Sequence, residues 1–223
     1  MRSNRHPGVA GRDPDRAQAD LPQRDGRRRA HQLYIVGIGP GRIEHLTQRA
    51  LAVLRSAECV VGYGLYLDLI QELVAGKETL RSGMMKEVAR VEAAIAAALS
   101  GKVCALVSSG DPGIYAMAGL VFETCRAKNL RLRPLGRTDD AAAESPALEM
   151  EVVPGIPALC AGAALLGAPL THDFAVVSLS DLLTPWEVIA GRLEAAARAD
   201  FVIVIYNPKS RKRTWQLEAA RRI

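Results

Sequence analysis

The chain has 223 residues, of which 49% are hydrophobic, and a formal net charge of +5. This length and apolar content support one large core or two modest ones, which excludes a fibrous chain. The positive charge lies at the two ends: residues 1–31 hold eight Arg and four Asp, residues 209–223 hold six Lys or Arg and one Glu, and residues 32–208 are therefore net −4. A slightly acidic body predicts no nucleic-acid surface, and only the basic ends leave weak polyanion binding open.

Cysteine spacing and hydropathy limit which metal sites and which cellular compartment are expected. The four cysteines are widely separated, with no Cys-x-x-Cys pair, and the four histidines do not cluster with them. Buried free thiols are favoured over disulfides or metal ligands, and we expect no metal. No apolar stretch approaches the ~20 residues that cross a membrane, and residues 1–30 lack the apolar core of a signal peptide. We therefore expect a cytoplasmic protein without a membrane partner.

The first third of the chain predicts a tail followed by strands and helices in alternation. Residues 1–31 have almost no large apolar side chain and are predicted to be a disordered basic tail. An apolar run at residues 33–38 predicts a strand, followed by a glycine loop and a helix. A second strand is predicted at residues 58–61, with a turn at residues 62–64 and a helix at residues 66–74.

The middle of the chain repeats this pattern. Residues 86–100 predict a helix with one apolar stripe, formed by Val88, Val91, Ile95 and Leu99. A polar stretch at residues 136–148 is predicted to be a loop. It precedes a strand at residues 150–153 and a helix of small residues from Ala158 to Leu166, which can pack closely.

Residues 103–128, between the predicted helix at residues 86–100 and the predicted loop at residues 136–148, predict a strand, a tight loop and a helix. Residues 103–107 are apolar and uncharged, which is typical of a strand buried on both faces of a parallel sheet. Gly110 permits a sharp turn, Asp111 suits a helix N-cap and Pro112 suits the first helical position, which predicts a helix over residues 113–128. Asp111 is thus either a helix cap or a ligand-binding residue, since loops at the carboxyl ends of such strands bind ligands in open α/β sheets.

The last third has fewer strands. A turn-rich segment at residues 167–173 is a candidate domain connector, and strands are predicted at residues 174–178 and 201–206. Between them a helix is predicted with Thr184 as its N-cap and Pro185 as its first residue, running to about Arg198. A last helix is predicted to begin at Lys209. Two strands make a poor sheet, so we expect this second unit to be incomplete.

Three glycine-proline loops each follow a predicted buried strand, at residues 36–41, 108–113 and 153–158. The first invites comparison with the dinucleotide-binding pattern G-x-G-x-x-G. That pattern fails because Arg42 stands at its last position and Glu58 precedes the second strand instead of ending it.

With their neighbours, these loops resemble the tetrapyrrole methylase family, from about residue 33 to the last residue. The family markers are the three loops and the Gly-Ala-Pro-Leu connector at residues 167–170. A finer resemblance, to the members that act on the corrin precursor precorrin-3B, rests on segments at residues 61–66, 82–87, 108–115, 172–174, 178–186 and 206–210.

The resemblance implies an α/β fold of two domains, each a mixed, largely parallel sheet flanked by helices, with S-adenosylmethionine in the cleft between them. The implied division is a tail at residues 1–31, an N-terminal domain at residues 32–168 and an incomplete C-terminal domain at residues 169–223. A homodimer is also implied. Carried over position by position, the cofactor-binding residues are Pro40, Ser109, Gly110, Asp111, Ile114, Pro157, Ala158 and Asn207.

The implied reaction is methyl transfer from S-adenosylmethionine to C17 of precorrin-3B, with ring contraction to precorrin-4. Tyr63, Lys86 and His172 are candidates for proton movement, and Lys86 and His172 are equally plausible as a solvated helix start and a connector hydrogen bond. Lys209 and its basic neighbours either steer the carboxylate-rich substrate or form a solvated helix face.

Three alternatives stay open at this stage. Another family member, acting on a cobalt-containing substrate or on a different ring carbon, would share the loops. An inactive remnant would follow if the missing strands are needed for the cleft. A nucleic-acid-binding protein is the third, and it depends only on the two basic ends.

Overall fold

Eight strands and eight α-helices make up the part of the chain that the computed structural model describes, residues 31–135 and 147–223. The strands are β1 (His31–Gly37), β2 (Cys59–Tyr63), β3 (Glu78–Ser82), β4 (Cys104–Ser108), β5 (Leu132–Pro134), β6 (Leu148–Val153), β7 (Phe174–Ser178) and β8 (Val202–Tyr206). The helices are α1 (Gln48–Ser56), α2 (Gly64–Leu69), α3 (Gln71–Val74), α4 (Glu87–Leu99), α5 (Met117–Ala127), α6 (Ala158–Leu165), α7 (Trp186–Arg198) and α8 (Gln216–Ala220).

The first sheet has six strands in the order β3-β2-β4-β1-β6-β5, and every neighbouring pair is parallel. In its centre, Leu33 of β1 is in register with Cys104 on one side and Met150 on the other. All five residues of β4 are buried, as its uncharged apolar sequence requires. The order places the carboxyl ends of β4, β1 and β6 side by side.

Helices cover both faces of this sheet. Successive side chains of β1 alternate between the faces, so that Leu33 and Ile35 join the core formed with α4 and α5. Tyr34 and Val36 join the opposite core, to which α1 contributes. The α/β architecture predicted from the sequence is confirmed.

The second sheet consists of β7 and β8, which are parallel and pair Phe174 with Val202. Helix α7 packs on it through Ile189 and Leu193, and these side chains form a small core with Val177. Both predicted strands of this unit are therefore present.

The structure corrects the predicted course of the chain between the second strand and α4. Strand β2 continues to Tyr63, so residues 62–64 are not a turn. The single helix predicted at residues 66–74 is two helices, α2 and α3, which break at Ile70. Strand β3 has no counterpart among the predicted strands, because it is an edge strand of polar sequence with no apolar run.

Two helices lie at their predicted positions but differ in burial from what their sequences suggest. Helix α4 lies at its predicted place, but Val88 of the predicted stripe is 56% exposed, whereas Arg90 is only 5% exposed. Helix α6 has the small residues that allow close packing, but none of its residues is buried, and Leu165 at its end is 88% exposed.

Helix α5 begins at Met117, four residues later than predicted, with Ala116 as its N-cap. Asp111 is therefore not a helix cap, and Pro112 is not the first helical residue. The reason is local: Tyr115 has a φ of +49°, in the left-handed region, and a right-handed helix cannot run through it.

Three further boundaries differ from the predictions. Strand β6 begins at Leu148, inside the predicted loop, whose residues 136–146 lie outside the described part. Helix α7 begins at Trp186 with Pro185 as its N-cap, one residue later than predicted. The last helix is only Gln216–Ala220, because the chain before it forms a turn in which the Arg213 and Ser210 backbones are hydrogen-bonded.

The division at residue 168 falls in the connector between α6 and β7 and stays a prediction. Residues 1–30 of the predicted tail lie outside the described residues.

Candidate functional site

The loops that follow β1, β4 and β6 touch each other through bare backbone at one edge of the first sheet. A methyl group added at Gly37 would lie 2.6 Å from the Gly110 carbonyl oxygen and 2.7 Å from the Gly155 nitrogen. Because both neighbours are backbone atoms, no side chain fits there. Gly39 and Gly110 exchange two backbone hydrogen bonds, of 3.1 and 2.8 Å. The glycines predicted from the three motifs thus hold three loops in one cluster.

Asp111 ties two of these loops together. Its Oδ1 accepts a hydrogen bond from the Gly113 N–H at 2.8 Å, within its own loop. Its Oδ2 accepts one from the Gly155 N–H at 3.1 Å, in the loop after β6. Of the two roles weighed for Asp111, the helix cap is wrong. The observed role is a link between loops, and its side chain also faces the adjoining cleft.

A cleft of about 710 Å³ opens beside the loop cluster, a size typical of small-molecule sites. Most of the predicted site residues line it: Pro40, Ser109, Gly110, Asp111, Ile114, Ala158, Asn207 and Tyr63. Pro157 is not among the lining residues and is the N-cap of α6, next to Ala158. Lys86 and His172 are not brought into the lining either, and their roles stay predictions.

Two tyrosines connect the first sheet to the second across this cleft. The Tyr115 hydroxyl donates to the Val176 carbonyl oxygen of β7 at 3.1 Å, and its ring packs against the Tyr206 ring at 5.2 Å between centroids. The Tyr206 hydroxyl accepts a hydrogen bond from the Leu159 N–H of α6 at 3.1 Å. Tyr115 makes these contacts from a left-handed backbone, a conformation that is costly for a residue with a side chain and is found at functional sites.

Asn207, which follows β8, also has a left-handed backbone, with a φ of +51°. Its side-chain amide donates to the Ser178 Oγ at 2.9 Å, and its backbone carbonyl oxygen accepts from the Arg213 guanidinium at 3.0 Å. Arg213 is held further by Ser180 and Asp181. Arg213 therefore links the segment after β8 to the segment after β7 through its guanidinium. It is not a free cation that could steer a substrate.

Several lining residues were not predicted: Tyr66, Leu69, Met84, Glu87, Arg90, Tyr115, Met117 and Tyr206. Arg90 is the one with a signal in the sequence. It precedes Ala94 by four residues and Ala97 by seven, so it lies on the small-residue face of α4. An arginine on a face of small apolar residues indicates a buried cation, and buried cations are rare unless they have a partner.

Metal binding and membrane insertion were also considered for the described residues. Within residues 31–135 and 147–223, no three His, Cys, Asp or Glu side chains are grouped as a metal site requires. No helix in those two ranges has the length and apolar character of a membrane span.

Comparison with protein families gives one match that covers most of the chain. Residues 32–223 match the family described as Tetrapyrrole (Corrin/Porphyrin) Methylases. The match includes the three glycine loops, the connector and the strands of both sheets.

Individual proteins give more specific similarities. A Cobalt-factor III methyltransferase of Priestia megaterium is 45% identical over 192 residues, which are 86% of this chain and 33% of that protein. A Precorrin-3B C(17)-methyltransferase of Sinorhizobium sp is 42% identical over 189 residues, 84% of this chain and 68% of that protein. The chain thus spans a third of the first relative's length and about two thirds of the second's.

Among solved structures, the crystal structure of the methyltransferase CobJ superposes with a TM-score of 0.72 and 35% identity. It covers 85% of this chain, and the match spans 73% of the CobJ chain. The similarity therefore covers most of this chain and about three quarters of the CobJ chain.

Proposed function

Because this chain belongs to the tetrapyrrole (corrin/porphyrin) methylase family, we propose that it is an S-adenosylmethionine-dependent C-methyltransferase of cobalamin biosynthesis. The substrate is precorrin-3B, and the methyl group goes to C17, with contraction of the ring to precorrin-4. The observation that carries the proposal is the cluster of three glycine loops beside a cleft that the second sheet closes.

The residues of the loop cluster fit S-adenosylmethionine. This ligand has an adenine, a ribose, an amino-acid end and a sulfonium cation, but no phosphate, so it needs polar backbone and a carboxylate instead of a basic cradle. The loops after β1 and β4 present backbone groups and Asp111, and their lining residues include no Lys or Arg. Pro40, Ser109, Gly110, Asp111, Ile114, Ala158 and Asn207 would hold the cofactor, with Pro157 setting the start of α6.

The bound cofactor supplies an electrophilic methyl group. The nucleophile is a ring carbon of the substrate, and the protein's part is to orient the two reactants and exclude water. The Tyr115–Tyr206 contact serves the second purpose, because it joins the two sheets at the cleft. Tyr63 lines the cleft and is the candidate for proton movement during contraction, whereas Lys86 and His172 lie outside the lining.

A second candidate substrate is cobalt-factor III. It is supported by the name of the Priestia megaterium relative, whose identity to this chain is 45%. In that case the reaction class, the cofactor and the loop cluster are the same, and cobalt enters as part of the substrate.

The test is turnover with both substrates. The chain is incubated with S-adenosylmethionine and either precorrin-3B or cobalt-factor III, without air, and the product is analysed by mass spectrometry. We expect precorrin-3B to gain one methyl group while S-adenosylhomocysteine forms in equal amount. Methylation of cobalt-factor III alone would replace the first candidate by the second, and methylation of neither would contradict the proposal.

We also propose that the protein is a cytoplasmic homodimer that binds neither nucleic acid nor membranes. The cytoplasm is supported by the four unpaired cysteines, a state that a reducing compartment maintains. The homodimer is supported by Leu182 and Leu183, which are 83% and 94% exposed before α7 and lie outside the cleft lining. Light scattering of the purified chain tests it, and a monomer mass at working concentration would contradict it.

A further inference from the structure

Arg90 is a buried cation with neutral neighbours. Arg90 is 5% exposed. Its guanidinium donates to the Ser82 Oγ at 2.6 Å and to the Gly83 carbonyl oxygen at 2.9 Å. A third contact, 3.8 Å long, reaches the Met117 sulfur. The guanidinium carbon lies 5.9 Å from the centroid of the Tyr63 ring. Among the described residues, no carboxylate lies within ion-pair distance of Arg90.

This arrangement leaves both charge and hydrogen-bonding capacity unused. A buried charge is costly without an ionic partner, and neutral acceptors with a tyrosine ring offset only part of that cost. A guanidinium has five N–H groups, of which the observed contacts use three, and one of those goes to a weak sulfur acceptor. N–H groups on both terminal nitrogens are thus left for a further acceptor, and Arg90 lines the cleft.

The free donors of Arg90 lie beside β2 and β3, on the side of the cleft away from the loops after β1 and β6. Ser82 ends β3 and Tyr63 ends β2, which are the two outermost strands on one side of the sheet. Strands β1 and β6 carry two of the loops and are three and four strands away from β3. At ~4.8 Å between strands, the separations are roughly 14 and 19 Å. The loop after β4 lies between these ends, because β4 is only two strands from β3. The cleft therefore runs from the loops after β1 and β6, past the loop after β4, to Arg90.

We propose that Arg90 binds a carboxylate of the tetrapyrrole substrate through a paired, charge-assisted contact and thereby fixes the orientation of the ring in the cleft. The proposal rests on the proposed function, because it takes the tetrapyrrole as the ligand of this end. Corrin precursors carry acetate and propionate side chains around the ring, and a planar guanidinium is suited to bidentate carboxylate recognition. The other charged lining residue on α4 is Glu87, which is exposed and lies beyond ion-pair distance of Arg90.

The cofactor also has a carboxylate, so the experiment separates the two sources. Binding of S-adenosylhomocysteine and of precorrin-3B is titrated separately for the wild-type chain, Arg90→Met, Arg90→Lys and Arg81→Met. Methionine retains much of the arginine's length without its charge, and lysine retains the charge without the paired donors. Arg81→Met is the matched control, because Arg81 is an exposed arginine of β3 that pairs with Asp68 outside the cleft lining.

We expect Arg90→Met to weaken precorrin-3B binding by about 10–100-fold and Arg90→Lys by less, since a hydrogen bond to a charged group contributes ~1.5–3 kcal/mol. S-adenosylhomocysteine binding is expected to stay at the wild-type level in both. Fully esterified precorrin should bind the wild type weakly, and the difference in affinity between ester and acid should be smaller in Arg90→Met than in the wild type. Arg81→Met should match the wild type.

Unchanged precorrin-3B affinity in a folded Arg90→Met chain would overturn the inference while leaving the proposed function in place. A loss of S-adenosylhomocysteine binding without a loss of precorrin binding would assign Arg90 to the cofactor carboxylate and would also overturn it. If Arg90→Met does not fold, the ester comparison in the wild type and in Arg90→Lys decides, and equal affinity for ester and acid would count against the contact. A wild-type chain that binds no precorrin would contradict the proposed function itself.

Discussion

At the scale of single residues, Asp111 has two roles, one in the cleft and one in the contact between two loops. It faces the cleft, and its two carboxylate oxygens hold the loops after β4 and β6 together. Asp111→Ala removes both hydrogen bonds, so we expect the free energy of unfolding to fall by ~1–3 kcal/mol and S-adenosylhomocysteine binding to weaken. Urea denaturation and calorimetry measure the two effects.

Asp111→Asn is the companion variant. Its amide keeps one oxygen acceptor but turns an NH₂ group toward the other backbone N–H, so we expect an intermediate loss of stability. If Asp111→Ala retains wild-type stability and wild-type S-adenosylhomocysteine affinity, the link between the loops is not important and the assigned role is wrong.

Tyr34 gives a prediction about pH. Its side chain lies in the core between the first sheet and α1, and burial raises the pKa of its phenol to about 12, against the opposing effect of Arg49. The unfolded chain ionises this group near pH 10, so the folded state loses relative stability between about pH 10 and pH 12. Each pKa unit corresponds to ~1.4 kcal/mol, and we expect Tyr34→Phe to lose about 2–3 kcal/mol less than the wild type across that range.

Chemical denaturation at pH 8 and at several values above pH 10 measures this difference. The wild type and Tyr34→Phe should show a constant stability difference at the lower values and a growing shift in favour of the variant at the higher ones. A difference that does not change with pH would contradict the burial of a neutral phenol at this position.

The sequence was sufficient for some of these residues and insufficient for others, for physical reasons. Ser109, Gly110 and Asp111 follow an apolar strand, and the ends of parallel strands meet at one edge, so their position in the cleft follows from the pattern. Arg90 was not predicted, because its burial depends on contacts with Ser82 and Met117, which belong to other elements. The local sequence marks the helix start, where Lys86 stands.

At the scale of elements, the contact between the loops after β1 and β4 depends on the absence of a side chain at Gly37. A methyl group there meets two backbone atoms within 2.7 Å, and neither can rotate away. We expect Gly37→Ala to destabilise the fold by ~1–3 kcal/mol and to weaken S-adenosylhomocysteine binding, because the loop cluster has to open.

Gly119→Ala is the matched control. Gly119 lies on the exposed side of α5 with nothing within 4 Å of an added methyl group, so alanine should stabilise the helix by ~0.5–1 kcal/mol and leave binding unchanged. Equal thermal unfolding midpoints for the two variants would contradict the account of the loop cluster.

The elements that the sequence predicted best are the buried parallel strands, because a short uncharged run of β-branched and other apolar residues is typical of a strand covered on both faces. Strand β3 was missed because it is an edge strand whose one apolar residue, Leu80, is too little for a recognisable pattern. The start of α5 was misplaced because Tyr115 has a left-handed backbone and contacts Val176 on the second sheet, a contact that no local pattern records.

At the scale of the whole molecule, the resemblance predicted two α/β units with a cleft between them, and the structure has two sheets joined across a cleft by Tyr115 and Tyr206. What the local sequence did not predict is the Arg90 end of the cleft, since it forms only when α4, β2 and β3 come together. The proposed arrangement, with the cofactor at the glycine loops and the substrate carboxylate at Arg90, is compatible with the order of strands, which places β2 and β3 away from β1 and β6.

The most direct test of this account is a calorimetric titration of the 223-residue chain with S-adenosylhomocysteine. We predict saturable binding at one site per chain, weakened in Asp111→Ala and Gly37→Ala and unchanged in Gly119→Ala and Arg90→Met. Absence of binding by a chain whose circular dichroism and cooperative thermal unfolding show a folded α/β protein would contradict the claim that the glycine-loop cluster is a cofactor site.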